Sequence, residues 1–193
     1  EKDLKDLDLA AELEPDLIAL SFVTDASEVA HVKEILQANG PADASIISKI
    51  EHMLAVKNFD AIVKESQGVM IARGDLGIEV PIEEVPVLQR ELIRKANTWA
   101  RPAIVATHML ESMTHERMPT RAEVSDVAHA ILDRADAVML SAETAVGHDP
   151  ASAVAMMNRI IKRVEGELPQ EDPMSMTSPR KMIVEIIGNL VYN

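Results

Sequence analysis

The sequence predicts an α/β fold built on a parallel sheet. Five short apolar runs recur along the chain, helical segments separate them, and each run ends in polar residues. Regular alternation of this kind is the pattern of strands joined by helical crossovers. The first run is Leu17-Ile18-Ala19-Leu20-Ser21-Phe22-Val23, and the second is Ser45-Ile46-Ile47-Ser48-Lys49-Ile50-Glu51. Val69-Met70-Ile71-Ala72-Arg73-Gly74-Asp75, Ala103-Ile104-Val105-Ala106-Thr107-His108 and Ala137-Val138-Met139-Leu140-Ser141 follow. Their near-continuous apolarity predicts strands covered on both faces. Between them, Ser27 to Asn39 is amphipathic and stops at Gly40, a C′ residue. Thr120-Arg121-Ala122-Glu123 is a capping box that opens a helix through about Arg134. Asp149-Pro150 and Ser178-Pro179 each place an N-cap before a first-turn proline. The acidic opening, Glu1 to Asp16, reads as a solvated helix face.

Domain organisation follows from the prolines. Residues 169–178, with Pro169 and Pro173, read as a linker. That makes 1–168 one α/β domain and 179–193 the opening helix of a second, truncated domain. Two architectures accommodate five strands in this order. One is a complete doubly wound sheet; the other is five of the eight units of a (β/α)8 barrel, which takes about 250 residues when whole. Periodicity does not choose between them, because both bind ligands at the carboxyl ends of their strands.

Composition excludes several classes of function. Of 193 residues 47% are hydrophobic but only 2% aromatic, so the core is built from Ile, Val, Leu, Met and Ala, and the eleven methionines fill it. So few aromatics exclude a base-stacking surface for single-stranded nucleic acid. The net charge of −13 argues against a polyanionic partner. With no cysteine there is no disulfide, thiolate metal site or catalytic thiol, which suits a cytoplasmic protein. No long apolar run and no signal-peptide pattern is present, so neither a membrane nor a secretory route is expected. The chain opens without Met and closes at Asn193 inside a helical pattern, as a piece of a longer protein would.

The chemistry-bearing residues stand at the strand ends. Lys49 and Glu51 are two apart and share a face of their strand beside Ile47. Opposite charges on such a face pair with each other as a structural ion pair, or meet a ligand. Arg73-Gly74-Asp75-Leu76-Gly77 reads as a turn whose glycines let backbone amides approach an anion, or as a plain turn. Glu51 and Asp75, at neighbouring strand ends, together suit a hard divalent cation: Mg²⁺ takes one or two protein carboxylates and completes its shell with substrate oxygen and water. Thr107, followed by Glu111 and Ser112, ends the fourth strand, and Ser141 and Glu143 end the fifth. Their hydroxyls can bind an anionic substrate, relay a proton, or simply form turns. The six histidines, His31, His52, His108, His115, His129 and His148, are scattered without metal-ligand spacing. No GxxxxGK[ST] or GxGxxG pattern occurs.

Five segments together resemble the pyruvate kinase family. They are residues 47–51, Met70 to Glu79, Ala106 to Met113, Pro119 to Glu123, and Met139 to Ala145, in the family's order and spacing. The resemblance implies a TIM-barrel, (β/α)8 fold, here a partial barrel of about five parallel βα units matching the family's fourth to eighth. It implies phosphoryl transfer from phosphoenolpyruvate to ADP, giving pyruvate and ATP in glycolysis. It places Mg²⁺ (or Mn²⁺) on Glu51 and Asp75, and Lys49 on the phosphoryl group in flight. The amides of Gly74 and Asp75, with the Thr107 hydroxyl, are implied to hold the substrate carboxylate. Ser141, Glu143 and Thr107 are implied in delivering the proton to enolpyruvate. Arg73 is implied at the substrate-binding loop, as a support for it, and Arg121 at a subunit interface of a homo-oligomer, the family tetramer. Phosphoryl transfer asks mainly for positioned cations, which a metal and a lysine supply. Glu51 beside Lys49 favours the charged ammonium.

Departures and absences shape the expectation. His108 stands where the family usually has glutamine, and Val146 where it often has a lysine near the nucleotide. The family's second-strand arginine and asparagine, which grip phosphate and K⁺, are not in this chain, nor is its lid domain. The chain alone is therefore expected to be inactive or nearly so, and to cover its open sheet edges by pairing with another copy. The rival readings are another phosphoenolpyruvate- or pyruvate-binding barrel, such as a metal-dependent 2-oxo acid aldolase, and a non-catalytic assembly fragment.

Overall fold

The computed structural model describes residues 2–40 and 43–168. Helix α1 (Lys2–Leu13) leads into β1 (Leu17–Leu20), α2 (Ala26–Asn39), β2 (Ser45–Ile50), and the short helices α3 (Met53–Lys57) and α4 (Phe59–Glu65). Then come β3 (Gly68–Ala72), α5 (Arg73–Glu79), α6 (Val85–Thr98), β4 (Ala103–Ala106) and α7 (Arg121–Leu132). The described chain closes with β5 (Ala137–Met139), α8 (Ala142–Ala145) and α9 (Pro150–Glu165). All five expected strands are present, each somewhat shorter than its apolar run. The expected linker, 169–178, and the expected last helix, 179–193, lie outside the described residues.

Every strand pairs in parallel with its sequence neighbour, in the order β1-β2-β3-β4-β5. A doubly wound sheet reverses its order at a switch point, whereas a barrel wall advances one strand at a time. The order here is that of a barrel wall. The two faces agree with it. Outward-facing strand residues such as Ile46, Ile50, Val69, Ile71 and Val105 share one large core with the helices. The other face is lined by strand residues alone: Ile47, Met70 and Ala106, with Ile104 and Met139 packed against them. Among the described residues helices thus cover one face and not both, because the inner face of a barrel packs on its own strands. Central β3 is buried throughout, and the ends of the sheet, β1 and β5, are partly exposed.

Most helix signals act as expected; Gly40, expected as a C′ residue after α2, is its C-cap in extended backbone, φ −144°. The α7 capping box forms: the Thr120 hydroxyl accepts from Glu123 N–H at 3.2 Å, and Glu123 accepts from Thr120 N–H at 2.7 Å. Asp149 caps α9 by accepting from Ser152 N–H at 3.0 Å, with Pro150 at its first position. For α2 the cap is Asp25, two residues ahead of the expected start, in a capping box with Glu28. Arg73 to Gly77, expected as a glycine-rich turn, also differs. It is the first part of helix α5, and no described glycine has a positive φ. Glycine is needed instead at Gly147, where a Cβ would lie 2.2 Å from the carbonyl oxygen of Glu143. Among the described residues no helix is long and apolar enough to cross a membrane.

Glu123 does more than cap α7. Its carboxylate also accepts from the Ser112 amide at 2.6 Å and the Ser112 hydroxyl, tying the loop after β4 to α7. Burial alone would raise the Glu123 pKa, but the bonds from Ser112 and Thr120 outweigh it and hold it below the ordinary glutamate value. A depressed folded-state pKa contributes stability that is present above the unfolded value and lost as the pH falls through the folded one. Glu123→Gln keeps the capping geometry but cannot ionise. The full-length protein carrying it is therefore expected to lose less stability than wild type as the pH drops below about 4.3, read from urea midpoints across that range. Parallel acid limbs for the two proteins would contradict this.

Candidate active site

The carboxyl ends of the strands form one rim, and the residues singled out in sequence stand along it. Glu51 follows β2 directly and is 2% exposed. Its Oε2 accepts from the Phe22 amide at 2.6 Å, and its Oε1 lies 2.6 Å from Lys49 Nζ. That contact is close enough for an ion pair, yet its angle does not make Oε1 a hydrogen-bond acceptor, and Oε1 is left without such a partner. Lys49 Nζ also donates to Ser21 Oγ at 2.9 Å. The turn after β1 thus serves both charges. Phe22 achieves this in a left-handed conformation, φ 55°, which costs a non-glycine residue about 1–2 kcal/mol.

A second cluster joins the ends of β3 and β4. Gly74 N–H donates to Thr107 Oγ1 at 2.7 Å, and Thr107 Oγ1 donates to Ala106 O at 2.6 Å. A Cβ on Gly74 would come into van der Waals contact with the Thr107 hydroxyl and the His108 ring, each at 3.4 Å. Thr107 and His108 are both left-handed, with φ 70° and 54°. The buried Arg73 guanidinium holds this backbone, Nη2 donating to Thr107 O at 2.7 Å and His108 O at 3.1 Å and touching Met109 Sδ at 2.9 Å. Its other nitrogen, Nη1, is taken by Asp126 and Gln89. The guanidinium of Arg73 faces the loop after β4, in keeping with a residue that supports the substrate-binding loop.

A third tie spans β4 and β5. Glu143, expected in proton delivery, is 2% exposed. Its Oε1 accepts from Leu110 N–H at 2.9 Å and its Oε2 from Ser141 N–H at 2.7 Å. The carboxylate is therefore engaged as a strut between two loops. The Ser141 hydroxyl makes no hydrogen bond with a described residue. Neither does the half-buried Asp75 side chain, which joins none of these clusters. His52, which caps α3, meets Glu79 at the end of α5 at 3.0 Å, linking the loops after β2 and β3.

A divalent cation at this rim would draw on Glu51, whose buried Oε1 meets only Lys49 Nζ, and on the Asp75 carboxylate, which no described residue engages. Among the described residues no group of three or more His, Cys, Asp and Glu is placed to hold a metal. A site here would rest on two carboxylates, the number Mg²⁺ tolerates when substrate and water supply the rest.

The family model described as "Pyruvate kinase, barrel domain" matches residues 1–154. The chain belongs to the pyruvate kinase family. It is 47% identical over 193 residues, 99% of its length, to the pyruvate kinase of Bacillus licheniformis. It is 52% identical over 164 residues to that of Thermococcus litoralis, covering 85% of this chain. Among solved structures, a pyruvate kinase from Cryptosporidium parvum superposes with a TM-score of 0.85 at 45% identity, over 87% of this chain. The chain spans about a third of each: 33%, 34% and 35% of their lengths. The partial barrel is the segment of the pyruvate kinase barrel that these matches cover.

Ser21, Phe22, Gln89 and Asp126 were not singled out in sequence. Ser21 and Phe22 carried a signal, being the end of the first apolar run, as Thr107 and Ser141 are of theirs. Gln89 and Asp126 carried none, since each is one polar residue within a helix. The left-handed backbone at His108 is testable. Its side chain is exposed and its 3.8 Å pairing with Glu111 is weak. In the full-length protein, His108→Gly is expected to leave the melting midpoint unchanged or raise it, and the β-branched His108→Val to lower stability by about 1 kcal/mol or more. Equal midpoints for the two would contradict a left-handed position.

Proposed function

We propose that this segment carries the metal-binding and carboxylate-binding half of the active site of a cytoplasmic, homo-oligomeric pyruvate kinase. The full-length protein transfers a phosphoryl group from phosphoenolpyruvate to ADP, giving pyruvate and ATP in glycolysis. The observation that carries this reading is the buried Glu51 carboxylate at the strand end, paired with Lys49 and keeping Oε1 without a hydrogen bond. An apolar rim would not keep such a pair; a site for phosphate and metal needs both members.

Each residue has a role in that reading. Glu51 and Asp75 hold Mg²⁺ or Mn²⁺. When bound, the cation neutralises charge on the transferring phosphoryl oxygens. Lys49, steadied by Ser21, places an ammonium where negative charge develops as the bond from phosphorus to the enol oxygen breaks and the bond to the ADP oxygen forms. The amides of Gly74 and Asp75 and the Thr107 hydroxyl are assigned to the substrate carboxylate, which would take over the Gly74 N–H from Thr107 Oγ1 and the Thr107 hydroxyl from Ala106 O. The Thr107 and Ser141 hydroxyls lie on the path of the proton that enolpyruvate takes up at its methylene carbon. Arg73 and Glu143 position the loops that present these groups. The K⁺ that the family uses is assigned to residues outside this segment. Arg121, exposed at the start of α7, is assigned to a contact between subunits.

The test uses the full-length protein. Pyruvate formation from phosphoenolpyruvate is expected to require ADP and a divalent cation. Lys49→Met is expected to lower kcat by about 10²–10³-fold, the usual loss for one group stabilising transition-state charge. Turnover of a 2-oxo acid without ADP would point to the aldolase alternative. Full activity in Lys49→Met would overturn the role given to Lys49.

A further inference from the structure

We infer that Asp126, with Gln89 beside it, is a positioning residue that sets the Thr107 hydroxyl through Arg73; this rests on the function proposed above. The Arg73 side chain is 8% exposed, so its charge requires a partner within the fold. Asp126 of α7 supplies it, with both carboxylate oxygens 2.7 Å from Nη1. Gln89 of α6, itself 3% exposed, accepts from the same nitrogen at 3.2 Å. The guanidinium is planar and rigid, so fixing Nη1 from the helices fixes where Nη2 points. Nη2 points at the carbonyls of Thr107 and His108, the two consecutive left-handed residues. A strained backbone persists only where its surroundings over-determine it. Here the fork of Arg73 does so, and the helix carboxylate orients the fork.

Thr107 then has little freedom. Its hydroxyl is held between Ala106 O and the Gly74 amide, so a rotation of its backbone moves the hydroxyl off both. Asp126 stands behind the rim, on the helix layer, and touches no residue proposed to contact substrate except through Arg73. The pathway does not include Lys49 or Glu51, and it bonds to no atom of Asp75. Disturbing Asp126 should therefore alter handling of the substrate carboxylate and proton while leaving the metal ligands in place.

The experiment uses the full-length protein with Asp126→Asn, Thr107→Ala and the double variant. Asp126→Asn is expected to lower kcat/KM for phosphoenolpyruvate about tenfold, the scale of a small misplacement of a reacting group. Mn²⁺ affinity, measured without substrate, should stay within about twofold. In the Thr107→Ala background the same substitution should cost less than about twofold more, because coupled residues are non-additive. Gln89→Met, which leaves both charges in place, should act in the same direction more weakly. Wild-type kinetics in folded Asp126→Asn would overturn the inference. So would an equal loss in both backgrounds, or a parallel loss of Mn²⁺ affinity, since each indicates a general structural effect. If the wild-type protein does not turn over phosphoenolpyruvate with ADP, the proposed function fails by itself. The positioning of the loop is then read by hydrogen exchange. Asp126→Asn should speed exchange in residues 107–113 at least about tenfold over wild type while β2 and β3 stay protected, and unchanged exchange would overturn it.

Discussion

All five strands run the same way, each pairing with the next in sequence. Parallel pairing in that order brings every carboxyl end to one rim and every crossover helix to one face. The remainder of the site depends on it. Lys49 and Glu51 meet because alternate residues of β2 point inward, and Thr107 meets Gly74 because β3 and β4 are adjacent and end in register, Ala72 beside Ala106. A reversal of the order anywhere would separate loops that are now tied.

Those ties run the length of the rim. Between β1 and β2 they are Phe22 N–H on Glu51 and Lys49 on Ser21. His52 and Glu79 link the next pair of loops. Gly74 and Arg73 grip Thr107, and Glu143 takes the amides of Leu110 and Ser141. In three of these four junctions a side chain bonds the backbone of the neighbouring loop. A buried carboxylate is stable there because amide donors replace the water it lost. The same bonds fix the loop to within a hydrogen bond's tolerance, which is what a reaction carried by positioned charges requires. Glu51 and Glu143 show how two buried carboxylates on one rim differ. Both oxygens of Glu143 are engaged by amides, while Glu51 keeps one without a hydrogen bond.

Much of this was legible in the residues. Apolar runs located the strands because a barrel wall is buried along most of its length, and the Thr120 and Asp149 caps located two helix starts because they satisfy amides within three residues. Lys49 with Glu51 was legible from spacing alone. Architecture was not, since strand order is a long-range property that periodicity does not encode; the resemblance to pyruvate kinases supplied the barrel, and the sequential order of the sheet agrees. Arg73 to Gly77 reads as a turn because two glycines follow a strand end, yet the segment opens helix α5. Six described residues other than glycine are left-handed, and the three on the rim, Phe22, Thr107 and His108, are held so by tertiary bonds. Asp126 was invisible for a similar reason, because a polar residue on a helix looks solvated until its partner is known. Glu143 stands just past a strand end as the sequence suggests, while the two amides that its oxygens accept from come from folding and are not legible in the sequence.

In the proposed function Glu51 and Asp75 hold a divalent cation whose shell the substrate completes. The most direct test is Mn²⁺ binding to the full-length protein, followed by electron paramagnetic resonance with and without phosphoenolpyruvate, with Glu51→Gln and Asp75→Asn as controls. Binding is expected to tighten with phosphoenolpyruvate and to be lost in both variants. Binding indifferent to either substitution, or to the substrate, would contradict it and place the cation elsewhere.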